Sequence, residues 1–143
     1  MTDTMLVGTD GSDASRRAAD FATLRAKASG ARLVVAYVIE WSPYTFNTPE
    51  ENEQRHKRRE EEIARAEAHL APLLGELRAA GLEVEGVVRH GHAAETLSAL
   101  AVEYDAAQIF IGRRGVSKIA AMLFGSVAGS LVQVSPVPVT VVP

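Results

Sequence analysis

The sequence predicts an α/β fold with an open, five-stranded parallel sheet and helices on both faces. Short apolar runs rich in β-branched residues alternate with segments of helical periodicity, in the order β-α-β-α-β-α-β-α-β. Helical crossovers between consecutive strands make the strands parallel. The loops most typical of ligand binding follow the first and the fourth strand. If those strands are neighbours, the strand order is 3-2-1-4-5, a Rossmann-like sheet that binds ligands at the carboxyl ends of its strands.

Length and composition limit the classes of protein that the chain represents. Its 143 residues predict a single domain spanning 1–143, and its 47% hydrophobic and 23% charged content is typical of a soluble globular protein. The net charge of −3 gives no general attraction to nucleic acid or to an anionic membrane. The absence of cysteine excludes disulfides and thiolate chemistry. With neither a signal peptide nor an apolar run of transmembrane length, a cytoplasmic protein is expected.

The first part of the chain supplies two strands and the helix between them. Met5–Asp10 is a short apolar run that ends in an Asp-Gly-Ser turn, and Ser12 or Asp13 is expected to cap the following helix. Gly30 ends that helix, and the continuous apolar run Leu33–Ile39 is typical of a strand buried on both faces. The predicted inner side of the helix consists of Ala14, Ala18, Phe21, Ala22 and Arg25.

A long charged helix, Glu50–Leu77, dominates the middle of the chain. Its first half has opposite charges at i,i+3 and i,i+4 but no apolar stripe, which predicts a solvated or poorly packed helix up to Glu62. The stripe begins at Ile63, and Pro72 is expected to kink or restart the helix. The irregular segment before this helix contains three aromatic residues that either cover a pocket or, as we favour, pack the loop: Trp41, Tyr44 and Phe46.

Two further strand–helix pairs and a last strand complete the predicted order. The third strand covers Val84 to Val88, and the fourth runs from Gln108 to Ile111. The last helix extends from Ser126 to about Val134 and the last strand from Val137 to Val142. A strand at the edge of a sheet is open to pairing with a second copy, which makes a homodimer plausible.

The clearest functional signal is the spacing Gly112-x-x-Gly115-x9-Gly125-Ser126. The first two glycines end a strand and the third comes directly before a serine that opens a helix. Glycines let the backbone approach a ligand closely, and a capped helix start offers N–H groups to an anion. The pattern predicts a phosphate cradle but not a P-loop, because no Gly-Lys-Ser/Thr follows at P-loop spacing. A plain turn and an ordinary capped helix are the alternative.

Charged residues beside these two loops are candidates for the rest of the site. Arg113 and Arg114 are either exposed loop residues or charge-assisted donors to a phosphate, and Arg114, next to Gly115, is slightly favoured. Asp10 forms its turn, or it accepts from a ribose hydroxyl or an adenine amino group, or it carries Mg²⁺ through water.

The histidines show no metal-binding pattern, and nothing in the sequence argues for strong catalysis. His90 and His92 flank Gly91 in an expected surface loop, and no carboxylate or cysteine completes a set of ligands. His56 and His69 are expected to be solvated. No nucleophile–base pair stands at a recognisable spacing.

These segments resemble the universal stress protein family, and the glycine spacing resembles that of its ATP-binding branch. Leu6–Ser12 is similar to the family's first strand and turn, and Ala36–Ile39 to its second strand. Gly91–Leu97 is similar to the start of its third helix, and Pro136–Val142 to the closing strand through which the family commonly dimerises. The resemblance covers the whole chain except Glu50–Glu62.

The resemblance implies that ATP or AMP lies between the first and fourth strands, with the need for Mg²⁺ left open. Thr9, Asp10 and Val38 belong to the nucleotide site, the last two at its adenosine end, and Ile111 and Gly112 line its floor. The residues implied to hold the phosphates are Arg114, Gly115, Gly125, Ser126 and Val127. A homodimer through Val137 to Val142 is also implied.

Three residues depart from the family pattern without disturbing the glycine set. His92 stands where proline is typical, and Gln108 where an apolar or acidic residue is favoured. Ala128 stands where some ATP-binding members have a hydroxyl, which removes one phosphate donor.

Three functions are compatible with the sequence. The first is a cytoplasmic stress protein that binds an adenine nucleotide and at most hydrolyses ATP slowly, since no general base is evident. The second is a nucleotide-independent interaction module whose contact surfaces are Glu50–Glu62 and Trp41–Phe46. The third, an enzyme acting on an adenylated substrate, needs a catalytic group that the sequence does not reveal.

Overall fold

The computed structural model describes residues 3–40, 48–114 and 126–143, and strands and helices alternate along them in the expected order. All strand pairs are parallel, and the strand order β3-β2-β1-β4-β5 confirms the predicted 3-2-1-4-5. The elements are β1 (Thr4–Thr9), α1 (Asp13–Ser29), β2 (Arg32–Glu40), α2 (Pro49–Ala79), β3 (Val84–Gly91), α3 (Ala93–Glu103), β4 (Ala106–Gly112), α4 (Ser126–Val134) and β5 (Val139–Val142).

Helix α1 has the caps that the sequence predicts, but its buried face includes four residues that the sequence did not indicate: Ser15, Ala19, Thr23 and Ala26. The Ser12 hydroxyl accepts from the Ser15 N–H at 3.2 Å, and Gly30 takes a left-handed φ of 72° at the other end. The prediction that Arg25 lies on the inner face is wrong, because Ala26 is buried there instead. Arg25 is exposed and its guanidinium carbon lies 5.3 Å from the centre of the Phe21 ring.

Helix α2 extends over 31 residues and is packed only along its second half. Thr48 and Glu51 form a capping box at its start, and most residues of the first half are exposed, as predicted. Ala66, Leu70 and Leu77 are its buried residues. The helix continues through the exposed Pro72, so the predicted restart at that residue does not occur.

Two apolar layers enclose the sheet, and alternate strand residues contribute to each. Leu6, Val34 and Ile109 belong to the layer that includes residues of α3 and α4, whereas Val35 and Phe110 belong to the layer with residues of α1 and α2. Because both faces of the sheet are covered, the sequences of the central strands are continuously apolar. The backbone ends of these strands, not their faces, are therefore where a ligand has access.

The last strand is shorter than predicted, and it is tied to β4 by a side chain. β5 begins at Val139, not at Val137, although the Pro138 carbonyl already accepts from the Ile109 N–H at 2.9 Å. Gln108, one of the residues that departs from the family pattern, donates from Nε2 to Thr140 Oγ1 at 3.0 Å. Among the described residues, no helix combines the length and apolar character needed to cross a membrane.

Candidate functional site

The candidate site lies above the carboxyl end of β1, where its two neighbouring strands extend further than it does. The pairing of β1 with β2 ends at Thr9 opposite Tyr37, while β2 continues beside β3 as far as Glu40. The pairing of β1 with β4 ends at Val7 opposite Phe110, while β4 continues beside β5 to Gly112. The result is a gap in the sheet between β2 and β4, at the point where the strand order reverses.

Backbone polar groups of β2 face this gap. The Arg32 N–H donates to the Asp3 carbonyl on the β1 side, and the Leu33 N–H donates to the Glu83 carbonyl on the β3 side. Successive residues of a parallel strand alternate in this way, so Val38 and Glu40 turn their backbone groups towards β1. Since β1 has already ended, the Val38 carbonyl and the Glu40 N–H point over its end.

The end of β4 faces the same gap from the opposite side. The Ile109 and Arg113 N–H groups donate to the Pro138 and Val142 carbonyls on the β5 side. By the same alternation, Gly112 turns its backbone groups towards the gap. Donors and acceptors from two strands therefore converge above Thr9.

A cavity of about 660 Å³ occupies the gap. Its volume lies within the range of small-molecule sites, about 300–1,000 Å³. One side is apolar, formed by residues of the α3–α4 face of the sheet and of those two helices: Gly8, Ala36, Val38, Ala93, Leu97, Ile111, Val127 and Ala128. A planar apolar group fits against such a wall.

The turn after β1 closes the bottom of the cavity. Asp10 accepts from the Ser12 N–H through Oδ1 at 2.9 Å, which confirms its turn-forming role. The Thr9 and Ser15 hydroxyls lie 3.0 Å apart, and Thr9, Asp10 and Ser15 all line the cavity. Below them, Arg16 lies 2.6 Å from Glu76, and this hydrogen bond raises the pKa of Arg16 above its ordinary value.

Gly112 is required by packing against α1, independently of any ligand. A Cβ at this position would lie 2.7 Å from the carbonyl carbon of Ala14 and 2.9 Å from the Ser15 nitrogen. The missing side chain lets the first turn of α1 approach the end of β4. The following residues, Arg113 and Arg114, are exposed and both line the cavity.

Helix α4 brings its first turn to the same cavity. It begins at Ser126, and Val127 and Ala128 line the cavity wall. The first N–H groups of a helix have no partner within it and are typical anion ligands. Gly115 and Gly125, the loop aromatic residues Trp41, Tyr44 and Phe46, and the side chain of Ser126 lie outside what the structure describes.

Seven of the predicted site residues line this one cavity. These are Thr9, Asp10, Val38, Ile111, Gly112, Arg114 and Val127. The sequence analysis missed the side of the cavity formed by α2, where Glu62, Arg65, Ala66 and His69 contribute. Their spacing i, i+3, i+4, i+7 places them on one helix face, but their polarity gave no sign that this face is covered.

Glu40 is a second residue that the sequence analysis missed. It lines the cavity, and its Oε1 accepts from the Ala93 N–H at 3.1 Å, so a side chain of β2 caps α3. His92, the N-cap residue, makes no side-chain cap hydrogen bond, and its Nδ1 lies 3.7 Å from the second Glu40 oxygen. Glu40 thus does the capping that the residue at position 92 does not.

The prediction that His90 lies in a surface loop is wrong. His90 belongs to β3, its side chain is only 12% exposed, and its Nε2 lies 3.0 Å from Glu62 Oε2 on α2. Strand β3 continues to Gly91 because it pairs with the long end of β2, a contact that short-range patterns do not reveal. His92 is exposed, as expected, and His69 is exposed but lines the cavity.

The described side chains of the cavity are apolar on one side and mostly polar or charged elsewhere. Within residues 3–40, 48–114 and 126–143, no three histidine or carboxylate side chains are grouped so as to hold a metal ion. The cavity combines an apolar wall, backbone groups, two arginines and a helix N-terminus. This combination is suited to a ligand with a planar apolar part and an anionic part.

Comparison with known proteins identifies the family. The profile of the universal stress protein family matches residues 1–143. A Thermus aquaticus protein, named universal stress protein in QAH/OAS sulfhydrylase 3'region, is 33% identical over 142 residues, which cover 99% of each chain.

Solved structures agree with the fold. A universal stress protein solved in complex with cAMP is 31% identical, with a TM-score of 0.71 over 99% of this chain and 96% of that one. Universal stress protein UspA from Lactobacillus plantarum has a TM-score of 0.85 over 99% of this chain and 97% of its own, at 22% identity. By its sequence over its whole length, the chain belongs to the universal stress protein family.

Proposed function

We propose that the protein binds an adenine nucleotide, ATP or AMP, in the cavity above β1 and acts as a nucleotide-dependent regulatory or protective protein in the stress response. The observation that carries this proposal is the gap in the sheet, where backbone groups of β2 and β4 face a cavity of about 660 Å³. The solved universal stress protein that holds cAMP, at 31% identity, supports an adenine ring as the planar part of the ligand.

The base fits the end of the cavity beside β2. A carbonyl at Val38 and an N–H at Glu40 match the donor and acceptor pattern on one edge of adenine, which has an amino group next to a ring nitrogen. Asp10, at the adjoining turn, lines the cavity where the ribose follows. Guanine reverses the donor and acceptor order on that edge, so this arrangement favours adenine.

The phosphates fit the opposite end of the cavity, between β4 and α4. Arg113 and Arg114 supply positive charge, and the first turn of α4 supplies N–H groups. The glycines at 115 and 125 belong to the same predicted cradle. Mg²⁺ would be held mainly by the phosphates, with Asp10 contributing through water as the sequence analysis predicts.

Thermal unfolding with ATP, AMP, GTP and no ligand tests the proposal. A ligand at about 100 times its Kd stabilises the folded state by about 2.7 kcal/mol, which raises the Tm of a chain of this size by roughly 8 °C. We expect this shift with ATP and AMP and a much smaller one with GTP. No shift with any adenine nucleotide would favour the nucleotide-independent interaction module instead.

Substitution of the glycine set locates the site. Gly115 or Gly125 replaced by a bulky residue is expected to abolish nucleotide binding while the far-ultraviolet circular dichroism stays unchanged. Unchanged affinity in both variants would reject the phosphate cradle. We propose at most slow hydrolysis of ATP. Rapid steady-state consumption of ATP would instead support the hypothesis that the protein is an enzyme.

A further inference from the structure

We infer that α2 forms a purine-stacking wall in this site, in which the guanidinium group of Arg65 covers the face of the base that points away from α3 and α4. This inference rests on the proposed function and adds to it a residue that determines how the base is held. Arg65 lies three residues after Glu62, next to Ala66, the first buried residue of α2.

The inner face of α2 changes its chemistry along the helix. From Leu70 onward the inner residues are apolar, and Leu70 and Leu77 are buried against the sheet. Before that point, Glu62, Arg65 and His69 face the cavity, with only Ala66 buried between them. A polar face that projects over a cavity has no role in the core, so we attribute it to the cavity's occupant.

The orientation of a base in the gap follows from the strands. An adenine whose edge bonds to the backbone of Val38 and Glu40 lies roughly in the plane of the sheet, so its two faces point to the two sides of the sheet. The even-numbered residues Val34 and Ala36 pack in the α3–α4 layer, and Val38 packs against that layer. One face of the base therefore meets Val38, Leu97 and Ile111.

The other face of the base points towards α2. Tyr37 and Ile39 line the cavity from β2, and alternation along the strand turns their side chains to the α1–α2 side, where Val35 is buried. Arg65, Ala66 and His69 line the cavity from the helix. The base then lies between an apolar wall and one that carries a cation.

Arg65 is available for this contact. It is exposed, and among the residues that the structure describes no hydrogen bond or ion pair involves its guanidinium group. A guanidinium plane stacks on aromatic rings and on nucleobases, which an ammonium group does less well. The neighbouring Glu62 is held by His90, so α2 is fixed to β3 one turn before Arg65.

Titration calorimetry with ATP and AMP tests the inference, using wild-type protein and the variants Arg65→Ala, Arg65→Lys and Arg58→Ala. Arg58 is an exposed arginine on the same helix face, two turns earlier and not among the residues that line the cavity, so it is the matched control. Stacking predicts that Arg65→Ala lowers the affinities for ATP and for AMP by the same factor, about 5- to 10-fold. Arg65→Lys is expected to lower both affinities nearly as much, and Arg58→Ala is expected to bind both nucleotides with wild-type affinity.

Each other result rejects a specific part of the argument. Wild-type affinity in Arg65→Ala, while the wild type binds both nucleotides, overturns the stacking wall and leaves the proposed function intact. The stacking wall is also overturned if Arg65→Ala loses much more affinity for ATP than for AMP and Arg65→Lys keeps the wild-type affinities. Arg65 then acts as a point charge for the phosphates. Failure of the wild type to bind either nucleotide overturns the proposed function itself, and the stacking wall with it.

Discussion

At the residue scale, Gly112 is needed for packing, whereas the fold does not require a glycine at position 75. A Cβ on Gly112 would lie 2.7 Å from a backbone carbon of α1, whereas a Cβ on Gly75, within α2, would meet nothing within 4 Å. Backbone cannot move aside as a flexible side chain can. The glycine at 112 therefore contributes to the fold as well as to the shape of the cavity.

We predict opposite effects of alanine at these two positions. Gly112→Ala is expected to lower the free energy of unfolding by about 1–3 kcal/mol, because α1 must shift away from β4. Gly75→Ala is expected to raise it by about 0.5–1 kcal/mol, because alanine has the higher helix propensity and fits without contact. Urea unfolding of both variants measures the two differences, and equal stability of Gly112→Ala and wild type would contradict the packing argument.

At the element scale, a side-chain contact joins the largely exposed first half of α2 to the sheet. Glu62 and His90 join α2 to β3 at 3.0 Å, and His90 is nearly buried. Most residues of α2 before Glu62 are exposed, and a helix with few buried contacts opens locally at a low free-energy cost. This contact therefore bears on how firmly the α2 wall of the cavity is held.

We predict that Glu62→Ala loosens the first half of α2 without unfolding the second half. Loss of about 1 kcal/mol of local stability corresponds to roughly fivefold faster amide hydrogen exchange over residues 52–66. Residues 70–79 are expected to exchange as in the wild type, because Leu70 and Leu77 remain buried. Hydrogen exchange measured by mass spectrometry gives both values.

Glu60→Ala is the control for that experiment. It removes a contact on the same helix, between Glu60 and His56 at 3.2 Å, but both side chains are at least 70% exposed. Exposed pairs of this kind contribute only a few tenths of a kcal/mol. A rise in exchange that is the same in both variants would mean that the contact with β3 has no special role.

The elements that the sequence predicted well are those whose signal is local. Periodicity and caps placed each strand and helix to within a few residues, as Ser12 and Gly30 illustrate on α1. What the sequence did not reveal depends on contacts between distant segments. Glu40 caps a helix 53 residues further on, and the nearly buried His90 contacts a carboxylate on α2. Neither contact leaves a periodic pattern in the chain.

At the scale of the whole molecule, β3 and β5 are the two edges of the sheet, and β5 is where the family resemblance implies a dimer. The Pro138 and Val142 carbonyls accept from β4, so residues 138, 140 and 142 face that strand. Alternation turns the backbone of Val139 and Val141 outwards. Their N–H and carbonyl groups are the ones open to a second copy.

We predict a dimer in solution, with a mass of twice 15.3 kDa, that Val141→Pro converts to a monomer. Proline at 141 removes an outward N–H that the pairing with β4 does not use, so the sheet within one subunit is expected to survive. Val141→Ala is the control, since it loses the same packing against the α3–α4 layer but keeps the N–H. Light scattering after size-exclusion chromatography measures the masses at equal protein concentration. A monomeric wild type would refute the dimer, whereas a dimeric Val141→Pro would place the contact elsewhere than on the outward backbone of β5.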